Sequence, residues 1–537
     1  MPLSVRQPVI VVGASLVGLS AALCLAKHNV PTVVLEKHAS ISKHPRAIGF
    51  TSRTIEIYRG LGIADQIPEV PKDFHLRRAR VESMTGKWFD STSWSDTPTA
   101  DQSKKSLQEG SPPKKQYSPS RGAAMPQDQL EAILQAAAIE RGVEIRRQHK
   151  VINVEQDLNG VTVTVVDPQD KEIQIQGAYL IAADGCRSTI RELLQIPRYG
   201  RGHMQTMRSV LFRAPLDQYM QGVHQFTIDQ PDLKAFLTTY SDGRWVLMFY
   251  DDIERDEPTL RSKIHQAIGR SDLPVDIITT GRWDLTALVA DTFQSGRIFL
   301  AGDAAHTLPP NRGGYGANTG IHDVDNLAWK LAAVLSRQSS PALLDTYDAE
   351  RRPVALLRHD QIFTRADYKV HLDQATPAGK KLDDDAMEFG QLYLSDGVIG
   401  VDETLPRALK PDEWAGQPGT HVPHFWVSRD GETVSILDVV GQDAWTLVSG
   451  MEDWEDVTAQ VNRGSSVKVK HICIGRDVRF ADAGSFQVAL GLSATGAALL
   501  RPDGYIAWRT KEMPAEPAKC LDDVVAQVAF RVNQHRG

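Results

Sequence analysis

The sequence predicts an α/β protein: a doubly wound parallel sheet, an antiparallel middle domain, and a separate C-terminal α/β domain. Three observations predict it. The apolar run 9–12, a Gly/Ser turn, the Ala/Leu-rich stretch 16–27 and a second apolar run 32–35 ending in Glu36-Lys37 read as a β-turn-α-β unit with parallel strands. Residues 196–282 alternate polar with aromatic and β-branched residues, the pattern of an antiparallel sheet. Beyond Gly390 the pattern changes to short strands separated by Gly/Pro turns.

Composition narrows the function before any motif is read. The chain has 537 residues, 42% hydrophobic and 24% charged, enough to bury a core without disulfides or metals. A net charge of −7 argues against nucleic acid as a partner. The four cysteines, Cys24, Cys186, Cys473 and Cys520, form no CxxC and no Cys/His cluster, so no metal site is expected and a reducing, cytoplasmic compartment fits. The apolar run 9–26 is broken by Gly13, Ser15, Gly18 and Ser20, so it reads as a buried strand and helix and no membrane span is expected.

Along the chain, polar residues 90–120 read as a mobile surface insertion. A helix follows at 127–141, then strands at 151–166 and 172–176, and the run Tyr179 to Gly185 returns the chain to the first sheet. Ser241-Asp242-Gly243-Arg244 between apolar runs is a hairpin signal. Arg297 to Asp303 is another buried strand with a turn, and 321–335 and 342–364 read as long helices. Strands at 433–438, 445–448, 467–474 and 497–500 and a helix from Leu521 complete the chain. The domains expected are therefore 1–195 with 286–394, 196–285 between them, and 395–537.

Gly13-Ala14-Ser15-Leu16-Val17-Gly18 joins the first strand to the first helix, with Glu36 ending the next strand. That layout suits a dinucleotide. Gly13 permits the tight turn, Gly18 allows close helix–strand packing, the helix N-terminus faces a pyrophosphate, and Glu36 can accept from a ribose diol. Ser15 replaces the middle glycine of the usual fingerprint.

Three more segments stand at strand ends: Ala183-Asp184-Gly185-Cys186-Arg187-Ser188, Gly302-Asp303-Ala304-Ala305-His306, and Pro309-Pro310 leading to Gly313-Gly314-Tyr315-Gly316-Ala317-Asn318-Thr319-Gly320. With Pro45-Arg46-Ala47, the chain resembles the FAD-dependent aromatic hydroxylases over essentially its whole length. The resemblance implies that Gly13, Leu16, Val17 and Gly18 cradle the FAD pyrophosphate, that Glu36 holds the adenosine ribose with Lys37 beside it, and that Arg46 lies near the pyrophosphate and flavin. It implies further that Gln127 reaches the ribityl chain, that Arg121 is a flavin-side residue, and that Asp184 serves cofactor geometry. Asp303 would bond a ribityl hydroxyl, the turn from Gly316 through Ala317 to Asn318 would present N–H groups to the flavin pyrimidine edge, and Pro310 would line the oxygen-reacting face. Asn311-Arg312 stands where family members commonly have one residue, which shifts the register of that loop by one.

A second dinucleotide fingerprint is absent, and the family likewise has none, since NAD(P)H meets the flavin transiently. The implied reaction is hydroxylation of a small aromatic phenol, polyketide-like in size, with dioxygen and NAD(P)H, through a flavin C4a-hydroperoxide. On the substrate side, Tyr240, Tyr250 and Arg213 are the catalytic candidates, although alternation leaves open which sheet face is the pocket. Baeyer–Villiger, epoxidising or dearomatising chemistry would use the same scaffold, and a non-catalytic flavin- or aromatic-binding module is the reading from another class. Residues from about Ser395 resemble the thioredoxin-like domain appended to phenol and aklavinone hydroxylases, here without the paired thiols that thioredoxin chemistry needs. Its expected work is to cover the catalytic core or to support a homodimer.

Overall fold

The computed structural model describes residues 7–71, 76–93, 115–310, 314–365, 379–441, 444–481 and 483–532. The chain folds as a mixed α/β protein with a parallel sheet, a large mostly antiparallel sheet and a thioredoxin-like C-terminal unit. In the first sheet the strands run in the order Gln294–Ser295, Ile298–Leu300, Tyr179–Ala182, Val9–Val12, Thr32–Glu36, Glu144–Arg147, and every neighbouring pair but the first is parallel. Val9–Val12 is buried along its whole length, as expected of a strand covered on both faces. Helix Leu16–Lys27 packs on it, and helices Gln127–Glu140 and Tyr315–Leu335 pack on that helix in turn.

The helix expected at 321–335 begins six residues earlier, at Tyr315. Gly316, Asn318 and Gly320 are poor helix formers, which hides the first turns from sequence. Gly320 is there for contact: a Cβ on it would lie 2.8 Å from the Gly302 Cα and 2.6 Å from the Val17 side chain. The helix expected at 342–364 starts at Thr346, because Pro341–Asp345 forms a 3₁₀ turn.

The large sheet has eight strands, in the order His306–Thr307, Asp276–Ala290, Arg198–Arg213, Arg244–Phe249, Lys234–Thr239, Gln225–Asp229, Arg77–Val81, Trp88–Ser93. The sheet therefore draws on residues outside 196–285, and one pair, Gln225–Asp229 with Arg77–Val81, is parallel. Arg77–Val81 buries Ala79 and Val81, half-buries Arg77 and Arg78 and exposes Arg80, an alternation too diluted by charge to read as a strand. Helix Glu257–Ile268 packs on one face, closing a core of Leu237, Trp245, Leu247, Phe249, Ile264 and their neighbours.

The flanks of the polar stretch 90–120 are packed. Trp88–Ser93 is the edge strand, Ser118 and Ser120 are buried, and the Tyr117 hydroxyl donates to Asp412 at 2.5 Å. The expectation of a loose insertion fails at these flanks, because distant segments supply the surface that the local sequence lacks. Residues 94–114, the rest of that span, lie outside the described residues.

In the C-terminal unit the strand order is Val469–Cys473, Trp445–Ser449, Ala497–Leu500, Ile506–Thr510, the first pair parallel and the others antiparallel. Helices Trp454–Gly464, Ala483–Leu490 and Pro517–Val528 complete the βαβαββα order of a thioredoxin-like fold. All four cysteines are unpaired, and burial pushes the Cys473 and Cys520 thiols up, away from the reactive thiolate. A buried ionic cluster ties this unit to the rest: Arg501 donates to Glu350 at 2.6 and 2.9 Å and to Asp503 at 2.6 and 3.0 Å, and Lys330 donates to Glu350 at 2.8 Å. Burial alone would raise the Glu350 carboxyl, but the Arg501 and Lys330 charges outweigh it and hold it well below the usual range. No helix among the described residues is long and apolar enough to cross a membrane.

Candidate functional site

A cavity of about 1670 Å³ lies where the ends of the parallel strands meet one face of the large sheet. A single drug-sized ligand occupies a site of roughly 300–1,000 Å³, so this volume has room for two molecules. One part lies outside the C-terminal ends of the parallel strands, where ligands of doubly wound sheets bind. It is lined by Gly13, Leu16, Val17, Glu36, Lys37, Arg46, Asp184 and Asp303.

The first turn leaves no space for side chains. Gly13 has φ +104°, and a Cβ there would sit 2.3 Å from the Ala183 carbonyl oxygen; a Cβ on Gly18 would lie 1.9 Å from the Gly13 oxygen. Gly18 thus packs behind the turn and does not line the cavity. Glu36 accepts from the Ala14 and His38 backbone N–H groups, each at 2.8 Å, which fixes its carboxylate at the cavity wall.

Gln127 lines the cavity but is fully engaged by protein. Its Oε1 accepts from the Arg46 and Ala47 N–H groups at 3.3 and 3.0 Å, and its Nε2 donates to Ser15 Oγ at 3.1 Å and Glu131 at 2.8 Å. With both amide hydrogens and both acceptor sites used, the expectation that Gln127 reaches a ribityl chain gives way to that of a clamp between two loops. Glu131, missed from sequence, is buried, accepts from Ser15 Oγ at 2.5 Å, and has its carboxyl pushed up by burial. A glutamate on an otherwise Leu/Ala helix face was the signal.

Asp184 and Asp303 hold acceptor capacity in reserve. Asp184 Oδ2 accepts from the Ile190 N–H at 3.1 Å, whereas its buried Oδ1 has no partner among the described residues. The Asp303 carboxylate faces the cavity, and burial raises its carboxyl above the ordinary value. Its turn is held from behind: Asp323 accepts from the Gly302 N–H at 3.2 Å, from His306 at 2.7 Å and from Arg351 at 2.9 Å. His306 is thereby buried in a structural contact. The N-terminus of helix Tyr315–Leu335 adds Gly316 and Ala317 to the cavity wall, following Gly314 in a left-handed conformation. Pro310 lines the wall; Asn311, Arg312 and Gly313, where the loop register was expected to shift, lie outside the described residues.

The second part of the cavity is walled by the large sheet, and the structure resolves the parity that sequence left open. Phe236, Thr238, Tyr240, Met248 and Tyr250 face the cavity, with Met204, Met207 and Trp283 from the neighbouring strands. Leu237, Trp245, Leu247 and Phe249 face the opposite core. The Tyr240 ring lines the wall, but its hydroxyl donates to the Pro45 carbonyl at 2.7 Å and burial pushes the phenol up. It is an anchor for the loop before Arg46, not the catalytic group expected. Tyr250, 38% exposed, remains at the cavity wall.

That loop is held by a polarised chain. His44 Nδ1 lies 3.2 Å from the Pro45 carbonyl, which can only accept, so Nδ1 carries the proton. His44 Nε2 then accepts from Ser209 Oγ at 2.9 Å, and that oxygen accepts from Trp283 Nε1 at 2.9 Å. Burial keeps the imidazole below its ordinary pKa, consistent with this neutral form. Arg46 stacks over Trp283 at 5.8 Å.

Besides Gly18, three expected residues lie off the cavity wall. Arg213 sits opposite Arg244 at the end of its strand and donates to the Asp242 carbonyl at 3.3 Å; Arg244, bound to Asp128 and Asp242, anchors the hairpin to helix Gln127–Glu140. Arg121 pairs with Glu69 at 3.3 Å. Asn318 is buried, accepting from the Thr51 N–H at 3.0 Å and Thr54 at 2.6 Å and donating to the Gly49 and Gly314 carbonyls at 3.2 and 2.7 Å. Its side chain joins helix Tyr315–Leu335 to the 49–54 segment. Among the described residues no His/Cys/Asp/Glu group is arranged to hold a metal ion.

Comparison with known proteins bears on this geometry. A family model described as FAD binding domain matches residues 6–360, and one described as aromatic-ring hydroxylase, C-terminal, matches residues 415–529. The chain is 34% identical over 546 residues to the tetracenomycin B2 monooxygenase-dioxygenase of Streptomyces olivaceus, covering 98% of this chain and 99% of that protein. It is 33% identical over 558 residues to the 4-methyl-5-nitrocatechol 5-monooxygenase of a Burkholderia species, covering 99% of each. Among solved structures, the ternary complex of aklavinone-11 hydroxylase with FAD and aklavinone superposes with a TM-score of 0.86 at 31% identity, covering 98% of this chain and all of that one.

Proposed function

Because the chain belongs to the FAD-dependent aromatic-ring hydroxylases, we propose that it oxygenates a polycyclic phenol of polyketide type, bound between the flavin-side loops and the large sheet. It is an FAD-dependent monooxygenase that uses NAD(P)H. The observation that carries the substrate reading is the cavity itself, which exceeds a one-ligand site and carries Met204, Met207, Phe236, Met248 and Trp283 along its sheet-side wall. Thioether and aromatic side chains fit the faces of a flat, fused ring system. Relatives whose names specify tetracenomycin and aklavinone support that size class.

The residues at the strand ends fit FAD. The glycine turn leaves backbone free to approach a pyrophosphate, and the orphaned Asp184 Oδ1 and the cavity-facing Asp303 carboxylate offer acceptors for cofactor hydroxyls or N–H groups. Leu16 and Val17 would bring first-turn N–H groups to the pyrophosphate, Glu36 would accept from the adenosine ribose with Lys37 alongside, and Asp303 would accept from a ribityl hydroxyl. Gly316 and Ala317 would direct helix N-terminal N–H groups, and the positive end of the helix dipole, at the flavin pyrimidine edge. Arg46 would lie over the cofactor, its loop held by Gln127, Tyr240 and the His44–Ser209–Trp283 chain. Pro310 would line the face turned to substrate.

Bound FAD supplies hydride acceptance from NAD(P)H and delivery of one oxygen atom from dioxygen to the ring. The chain's own work is to orient the two molecules and to exclude water from the space between them. The test is turnover of a panel of hydroxylated anthraquinones and naphthacenes under isotopically labelled dioxygen. Substrate-stimulated NAD(P)H oxidation with one labelled oxygen in the product is expected; background oxidation and unlabelled products across the panel would overturn the reading.

A further inference from the structure

Ser15, which stands where the dinucleotide fingerprint has its middle glycine, is exposed and lines the cavity at the first turn. Its hydroxyl is committed in the wrong direction for an anionic ligand. Oγ donates to Glu131 Oε1 at 2.5 Å and accepts from Gln127 Nε2 at 3.1 Å, and Nε2 donates also to Glu131 Oε1 at 2.8 Å. A hydroxyl has one proton and two lone pairs, so Ser15 is left with a spare acceptor and no donor. Glu131 adds a second difficulty. It is 3% exposed and lines the same cavity, one hydroxyl away from the turn that would receive the pyrophosphate. Two anions brought that close disfavour each other's charge, and the carboxylate, far more basic than a phosphodiester, is the one that takes a proton.

The groups around Glu131 leave room for that proton. From strand Glu144–Arg147, the Arg147 guanidinium favours the carboxylate but donates to Gln135, and the Leu16 N–H favours it from the first helix. Tyr58, on helix Ser52–Gly60, is a phenol 3.0 Å from the Ser20 hydroxyl, kept protonated by burial with the Glu131 charge nearby. Glu36, holding the Ala14 N–H, is a further anion beside the same turn. Burial outweighs the favourable contacts and raises the Glu131 carboxyl. We propose that FAD binds with a proton on Glu131, which reverses the Ser15–Glu131 hydrogen bond and frees the Ser15 hydroxyl to donate to the pyrophosphate. Both Ser15 lone pairs are then filled, by Glu131 and Gln127, and its proton faces the cofactor. FAD binding is thereby coupled to proton uptake, and the serine offers a donor that the fingerprint glycine lacks.

The test is calorimetric titration of apoprotein with FAD across the neutral pH range, in pairs of buffers of different ionisation enthalpy, which counts the protons taken up. The bound carboxyl has the higher pKa, so affinity is greatest below the free-protein value and weakens as pH rises towards the bound one, by at most about tenfold per pH unit. Glu131→Gln imitates the neutral acid, its amide donating to Ser15. It should lose the Glu131 share of proton uptake, flatten the pH dependence and bind FAD at alkaline pH at least as tightly as wild type. Protons taken up at His38 or His149, which also line the cavity, persist in this variant and are subtracted. In the Glu131→Gln background, Ser15→Ala should weaken FAD about tenfold at every pH, the loss of one charge-assisted bond. Equal uptake in wild type and Glu131→Gln, no uptake at any pH, or a harmless Ser15→Ala in that background would overturn the inference. It rests on the pyrophosphate placement proposed above, and the two fail differently. FAD retained by Gly18→Ala removes the placement; FAD lost there, with proton uptake indifferent to Glu131, removes this inference alone.

Discussion

The two parts of the cavity are built on different principles. The flavin-side wall is backbone: strand ends, a turn at Gly13 where no side chain fits, a helix N-terminus, and carboxylates aimed from fixed turns. The sheet-side wall is side chains, Phe236 and Thr238 of Lys234–Thr239 and Met248 of Arg244–Phe249, with Leu237, Trp245, Leu247 and Phe249 of the opposite parity spent on the core below. A backbone requirement leaves a spelled motif, since only glycine satisfies it. A strand face leaves only parity, and a one-residue shift would exchange wall for core.

Substitutions should separate the two parts. The largest effect falls on the turn: Gly18→Ala must displace the Gly13 carbonyl, 1.9 Å from the new Cβ. At about 3 kcal/mol of overpacking, FAD affinity should fall on the order of a hundredfold, and the protein should purify colourless. Retention of stoichiometric yellow cofactor would break the contrast. Next, Asp303→Ala removes an acceptor without moving backbone. Loss of one charged hydrogen bond, about 1.5–2 kcal/mol, should weaken FAD roughly 10- to 30-fold in a titration of apoprotein, with the melting temperature of the apoprotein not lowered. Unchanged affinity would remove Asp303 from the cofactor contacts. The smallest effect is expected on the sheet side, where Ser209→Ala cuts the chain from Trp283 to His44. At about 1 kcal/mol, turnover should fall roughly fivefold with FAD affinity unchanged. A fall in FAD affinity as large as that of Asp303→Ala would show that the two walls are not separable.

What sequence disclosed follows the same division. The first β-turn-α-β unit, the returning strands at Tyr179 and Ile298 and the hairpin around Gly243, whose φ is +79°, stand where local pattern put them. The roles of Gln127 and Tyr240 were not readable, because each is decided by a distant partner: Gln127 meets Ala47 across 80 residues and Tyr240 meets Pro45 across 195. An amide or a phenol is a ligand group only while its own donors and acceptors are free, and sequence does not record that. Arg213 was misplaced for a related reason. Its strand position was right, but the local partner turned out to be a hairpin carbonyl, not the cavity.

The strand order of the parallel sheet also governs how the chain must be made. Val9–Val12 pairs with Tyr179–Ala182, which in turn pairs with Ile298–Leu300. At about 5–20 residues per second, a ribosome needs roughly 15–60 s to travel from the first of these to the last. The long strands Arg198–Arg213 and Asp276–Ala290, by contrast, pair across a shorter stretch of chain. A nascent chain therefore carries the Tyr179–Ala182 strand, buried along its whole length in the finished sheet, with one edge unpaired until Ile298–Leu300 emerges, which makes it a natural client for holding chaperones over that interval.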